Sequence, residues 1–444
     1  MLFHRISFVS LLLTGHLAFG QGEPQKQSAA TPLSVRNNTE LPTFDTGQSS
    51  GGVPLSLSDA IAMASKNNPR LHEALAVTQR SNAIARTARA YTNPSVEVFG
   101  GRQYARPIAT PGVPGLLQHY AASQTIEIPS ERRARQKAAQ FGITSSEAGQ
   151  RGVTISVVAD VKRAFYDTLR RRVEIRHAQE NLQLVQDLRR RVEVEVNVGE
   201  KGRLELTRAE AELARAQFAV RSAQIEYSNA IALLRVAIAA PADANLDPRG
   251  DLAPRIALLP LEQVRQNVLD SHPAVAQSKA DIEAGRAILD REKALRIPQP
   301  VAFAEFENQP DLRFWRTGIT IPLPLWDRRR GQIDEAKAAI NQSSAVLDQR
   351  RLELISALER AYEQYQLADQ QTTSLEAGSL HAAESAVDAA KAAYRYGERG
   401  IVEVLDAQRV LQSVRGDLLD AQYARQSALI DLEELGAMAP GAKP

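Results

Sequence analysis

The chain is written twice, and that duplication constrains its fold more than any other feature. "LSLSDAIAMASKNNPRL" from Leu55 aligns with "LPLEQVRQNVLDSHPAV" from Leu259, so Leu57 meets Leu261 and Pro69 meets Pro273. "TIEIPSERRARQ" near Thr125 echoes "TIPLPLWDRRRGQ" near Thr320, and "VGEKGRLELTRAEAEL" from Val198 echoes "YGERGIVEVLDAQRVL" from Tyr396. One unit covers 55–240, the other covers 259–436, and a Pro/Asp-rich linker, 241–258, joins them. A repeat of this length is a duplicated supersecondary unit, not a short solenoid period.

Both units follow one order. A helix of moderate length is interrupted at Asn68–Pro69 or His272–Pro273, where proline removes a donor and restricts its predecessor. Two short extended segments follow, a β-hairpin over 94–129 in the first unit and over 299–324 in the second. In the last strand Trp315, Ile319 and Ile321 share one face, and Arg316, Gly318 and Thr320 share the other. Proline is then absent between Pro129 and Pro241 and again between Pro324 and Pro440. These stretches predict helical hairpins over 131–237 and 327–436, each turning at its glycines, with Gly199, Gly202, Gly397 and Gly400 permitting the positive φ of a tight reversal. A helix from Glu131 to Val196 would reach ~100 Å, too long for a compact core.

The return helices carry a heptad seam. It runs through Ala209, Leu213, Ala216, Val220, Ala223, Tyr227, Ala230 and Leu234. Its counterpart is Ala407, Leu411, Val414, Leu418, Ala421, Arg425, Ala428 and Leu432, in which Arg425 is the one departure. Taken alone, the helices fit a coiled-coil rod.

The strands argue for more. Four strands cannot close, since membrane barrels begin at roughly eight, and an open edge in lipid costs several kcal/mol per unpaired amide. If these strands sit in a membrane, several copies must pool them into one barrel with the helices continuing its wall. The fold class is then a mixed one, all-α coiled coil plus membrane β-barrel. Residues 1–20 read as a secretory signal, with Arg5 before a short apolar run, and 21–54 as a flexible lead-in. Residues 437–444 read as a flexible tail. Export places the strand-hairpin tips "RPIATPGVPG" and "NQPD" outside the cell and the helices in the periplasm.

Other functions find little support. The formal net charge is +2 with charges interspersed, so no basic tract points to nucleic acid. With no cysteine there is no disulfide, thiol nucleophile or thiolate metal site. The seven histidines show no helical ligand spacing, and no Walker, GxSxG or HExxH pattern occurs. The sequence predicts no enzyme, no cofactor and no metal site.

In its duplicated order and in "LSLSDAIAMASKNNPRL", "GITIPLPLWDRRRGQI" and "YGERGIVEVLDAQRVL", the chain resembles the TolC-type outer-membrane factors, exit ducts of tripartite efflux pumps and type I secretion systems. The resemblance covers nearly everything after residue 54. "IPLPLWDRRRG" and "LELTRAEAELARA" are most similar to the branch serving heavy-metal and related cation pumps. The resemblance implies a homotrimer, a twelve-stranded barrel in outer-membrane lipid over a twelve-helix periplasmic tunnel, a periplasmic adaptor and an RND-type inner-membrane pump.

It also implies site residues. The adaptor-docking tips become Val198, Gly199 and Glu200 with Tyr396, Gly397 and Glu398. The channel gate becomes Glu205, Tyr394, Arg399, Glu403 and Asp406, with Tyr394 and Arg399 of the second hairpin bonded to Glu205 of the first. Spacing alone places Glu403 and Asp406 on one side of a helix, which equally describes a solvated surface pair; the resemblance favours stacked acidic rings at a closed aperture. Glutamate at 205 and Leu204 depart from the family's usual pattern, which implies a looser or differently wired lock. Two alternatives stand beside the efflux duct: a type I secretion exit channel, and a periplasmic coiled-coil structural or adaptor protein without a pore.

Overall fold

The computed structural model describes residues 53–103, 115–252, 256, 258–310 and 312–437. The signal at 1–20, nearly all of the lead-in, most of the first strand-hairpin tip and the tail beyond Ala437 lie outside the described residues.

The order is β1 (Val53–Leu55), α1 (Leu57–Asn67), α2 (Pro69–Arg89), β2 (Ser95–Gln103), β3 (Gly115–Thr125), α3 (Pro129–Asn197), α4 (Arg203–Ala237) and β4 (Leu246–Pro248) in the first half. The second continues with α5 (Leu261–Ser271), α6 (Pro273–Ala294), β5 (Val301–Asn308), β6 (Arg313–Thr320), α7 (Arg330–Ser374), α8 (Leu380–Arg395) and α9 (Ile401–Glu434). The duplication is thus visible element by element.

The prolines act as helix starters. Pro69, Pro129 and Pro273 each open a helix, where a missing N–H costs nothing. Asn68 ends α1 and its side chain accepts from the Arg70 N–H at 2.9 Å; His272 does the equivalent with Nδ1 on the Ala274 N–H at 3.2 Å. α3 runs unbroken for 69 residues, about 100 Å. The second hairpin differs: a π-helical turn, Leu375–Ser379, interrupts its outgoing helix between α7 and α8.

Hydrophobic packing concentrates at the base of each hairpin. In the first half Phe165, Leu169, Leu234 and Ile238 pack with Ala60 and Ala64 of α1. Val264, Val268, Leu354, Leu358 and Leu432 occupy the corresponding place in the second. The heptad seam is the inward side of α4, with Ala209, Ala216, Val220, Ala230 and Leu234 buried. Arg425, the departure in α9, is also buried and pairs with Asp369 of α7 at 2.9 Å, so the seam accommodates a charge by supplying its counter-ion.

The strands form one antiparallel sheet in the order β2-β3-β5-β6, leaving β2 and β6 as edges. Register assigns its two faces. Val98, Tyr120, Phe306 and Trp315 lie across from one another on one face, with Val96, Ala122, Ala304 and Ile319 nearby. The opposite face carries Glu97, His119, Glu305, Glu307 and Arg316 among Phe99, Phe303 and Phe314, with Glu305 ion-paired to Arg316 and Phe99 stacked on His119. One face is thus predominantly apolar and the other mixes charge with aromatic rings. No described helix is long and apolar enough to cross a membrane.

One expectation fails in part. The lead-in 21–54, expected to be flexible, ends in a short strand: Val53–Leu55 pairs in parallel with Leu246–Pro248 of the linker. Three-residue strands carry no readable alternation, and here the partner lies far along the chain.

Candidate channel gate and docking tips

The two glycine turns are built alike. Gly199 (φ 83°) follows the last residue of its helix cap, with its N–H on the Val196 carbonyl and the Glu200 N–H on the Glu195 carbonyl at 2.9 Å. Gly397 (φ 75°) repeats this, its N–H on Tyr394 and the Glu398 N–H on Ala393 at 2.9 Å. Both are Schellman endings, in which left-handed backbone satisfies the final carbonyls. Gly202 and Gly400 depart from the sequence expectation: they are N-caps with φ of −81° and −84°, open to any residue. One glycine ends each helix, and the other merely starts the next. Val198, Gly199, Glu200, Tyr396, Gly397 and Glu398 are all exposed at these tips, Tyr396 being 82 % accessible.

Just inside the tips the hairpins touch. Tyr394, 7 % exposed, packs with Leu188, Val192, Ala209, Ile401, Val404 and Leu405. Its hydroxyl donates to Glu195 Oε2 at 2.7 Å, joining α8 of the second hairpin to α3 of the first. Burial, the hydrogen bond to Glu195 and the carboxylate charges of Glu195 and Glu205 hold the phenol above its usual range, so it remains a donor. Arg409 makes a second bridge, to Glu212 of α4 at 3.0 Å, while also pairing with Asp406 at 3.0 Å. Arg415 supplies a third, to Glu180 of α3 at 3.0 Å.

Within the single chain, the lock that the resemblance implies is wired differently. Tyr394 does bond an acid of the first hairpin, but that acid is Glu195, not Glu205. Arg399 is exposed at the tip and forms no ion pair with another described residue. Glu205 lies 3.5 Å from Arg208, one turn along its own helix. Glu205 and Glu403 occupy the first turns of α4 and α9, where the helix dipole favours a carboxylate. That preference gives the repeated acid a local role besides any gating one. Glu403 and Asp406 are both exposed, and Asp406 pairs with Arg409.

Sequence reasoning missed Glu195, Glu212, Arg409, Arg415 and Glu180. The first-half residues among them lie far from their partners along the chain, and only hairpin packing shows that they meet. Among the described residues no group of three or more His, Cys, Asp or Glu side chains converges as a metal site.

The family model for outer membrane efflux proteins matches residues 60–240 and 264–436, one match for each half. The chain belongs to the outer membrane efflux protein family. It is 26 % identical over 381 residues to the cobalt-zinc-cadmium resistance protein CzcC of Cupriavidus metallidurans, covering 82 % of this chain and 85 % of CzcC. It is 24 % identical to the cation efflux system protein CusC of Escherichia coli, covering 96 % of each. A solved CusC structure shares the fold with a TM-score of 0.75 at 20 % identity, over 88 % of this chain and 95 % of that one. As an outer membrane efflux protein, the chain works in transport across the outer membrane with its long helices in the periplasm. Family membership removes the periplasmic rod and the adaptor as readings. The family is one of channels, not enzymes.

Proposed function

We propose that this outer membrane efflux protein is the passive exit duct of a tripartite cation pump, assembled as a homotrimer whose strands form a twelve-stranded barrel over a twelve-helix tunnel. One observation carries the reading: the four-stranded sheet has two unpaired edges and one apolar face, so only further copies complete it in lipid. The names of CzcC, a cobalt-zinc-cadmium resistance protein, and CusC, a cation efflux system protein, support cations as cargo; the RND-type inner-membrane pump is the partner that the resemblance to the heavy-metal branch implies. No cofactor is required, because the pump supplies the energy.

The duct is held shut by Tyr394–Glu195 and its neighbours, with Arg399, Glu205, Glu403 and Asp406 facing the aperture between protomers. A periplasmic adaptor docks on Val198–Glu200 and Tyr396–Glu398 and draws the hairpins apart. The absence of native cysteine makes this testable. Val198→Cys and Tyr396→Cys should cross-link to the adaptor in cells, and loss of the chain should raise cellular zinc, cobalt or cadmium. Cross-linking absent at both tips would overturn the docking assignment, and unchanged metal content would overturn the cargo.

A further inference from the structure

The lipid-facing side of β6 does not end where the strand does. Trp315 and Ile319 lie on its apolar face, and Ile321, Leu323 and Leu325 follow in the same alternation without a strand partner. All are exposed, and Trp326 ends the run with 92 % of its surface accessible. Arg328 and Arg330 come next, exposed and without an ion pair to another described residue, whereas Arg329 between them turns inward to Glu292. The first half lacks this arrangement. Its "IEIPSERRARQ" has no aromatic residue, and Arg132 and Arg135 are engaged by Glu127 and by the backbone of α2 and its cap.

We propose that Ile321–Arg330 is a membrane-interface anchor: the aliphatic run lies against acyl chains, the Trp326 indole sits at the boundary of the periplasmic leaflet, and Arg328 and Arg330 bind anionic phospholipid headgroups. The order of side chains, apolar then indole then guanidinium, matches the order of layers from the membrane interior outward. Spacing supports it. Eleven residues separate Trp315 from Trp326, a reach of at most about 36 Å at roughly 3.3 Å per residue, or about 28 Å along the membrane normal at a tilt of ~40°, shortened by the turn in which the Leu325 N–H bonds the Leu323 carbonyl beyond the end of β6. That is close to the ~25 Å apolar band that aromatic girdles bracket in outer-membrane barrels. A neighbouring copy is the rival occupant. The unpaired arginines favour lipid, since phosphate gives them the bidentate partner they lack.

This inference rests on the barrel reading, and the experiment separates the two. The chain has two tryptophans, so Trp315→Phe and Trp326→Phe each leave a single fluorophore. Each full-length variant is reconstituted in vesicles whose phospholipids carry bromine near the headgroup end or near the methyl end of the acyl chain. Trp326 should be quenched about twofold more strongly by the headgroup-end bromines than by the methyl-end ones. Brominated phosphatidylglycerol should quench it more than brominated phosphatidylcholine, by about twofold, a preference removed by Arg328→Gln/Arg330→Gln. If Trp315 is quenched while Trp326 is not, the anchor is refuted and the barrel stands; shielding of that unquenched Trp326 from aqueous acrylamide would assign it to a neighbouring copy instead. If neither tryptophan is quenched, the barrel reading falls and the anchor with it.

Discussion

Replacing Tyr394 by phenylalanine removes one oxygen from the contact between the hairpins and leaves the packing around it. The ring is held by Leu188, Val192, Ile401 and Val404, so the variant keeps its apolar contacts and loses only the 2.7 Å bond to Glu195. A hydrogen bond to a charged group is worth about 1.5–3 kcal/mol. Glu195 is partly accessible, and water compensates some of the loss, which places the cost at the low end. About 1.4 kcal/mol per protomer changes the closed-to-open ratio roughly tenfold. If three protomers part together, that compounds to about a thousandfold, for a gate otherwise closed by a wider set of contacts. The assay is single-channel recording of the purified protein in planar bilayers without adaptor. Tyr394→Phe should show frequent long openings, and Glu195→Ala should match it without adding to it in the double variant. Wild-type conductance in both single variants would refute the reasoning, as would fully additive effects in the double variant.

Three further outcomes follow from the geometry. Gly199→Ala or Gly397→Ala places a side chain at positive φ and should cost about 1 kcal/mol, seen as roughly fivefold faster amide exchange at Glu200 or Glu398, whereas Gly202→Ala and Gly400→Ala should leave exchange unchanged. Gly318→Val would set its Cβ about 2.6 Å from the ring of its cross-strand neighbour Phe303. The variant should lower the yield of heat-resistant assembly, with Phe303→Leu restoring it. Burial holds the folded-state pKa of His272 below its ordinary value, against the opposing pull of Glu434. The unfolded chain therefore takes up the proton first, and stability falls as pH drops through about 6.5, while above that value His272 contributes no pH dependence. His272→Asn, which copies the Asn68 cap of the first half, should flatten the thermal-melting profile across that range.

What the sequence disclosed was whatever rests on local pattern. The interruptions at Asn68–Pro69 and His272–Pro273, the seam from Ala209 to Leu234 and the alternation around Trp315 each depend on neighbours within a few residues, and each corresponds to an element at its expected place. The parallel pair of Val53–Leu55 with Leu246–Pro248 and the π turn at Leu375–Ser379 carried no such pattern. The gate shows the limit best. The resemblance alone pointed to Tyr394, and it implied Glu205 as the partner. Packing instead brings Glu195, in the last turn of α3, within reach, and leaves Glu205 beside Arg208. Which of two nearby acids meets a hydroxyl depends on the relative rotation of two helices, and no single helix encodes it.

The central claim is that one chain supplies only part of a membrane wall. Its most direct test is the native mass of the current-carrying species extracted from the outer membrane in mild detergent. The account predicts a mass of three chains and stable conductance from that fraction alone; a conducting species with the mass of a single chain would contradict it.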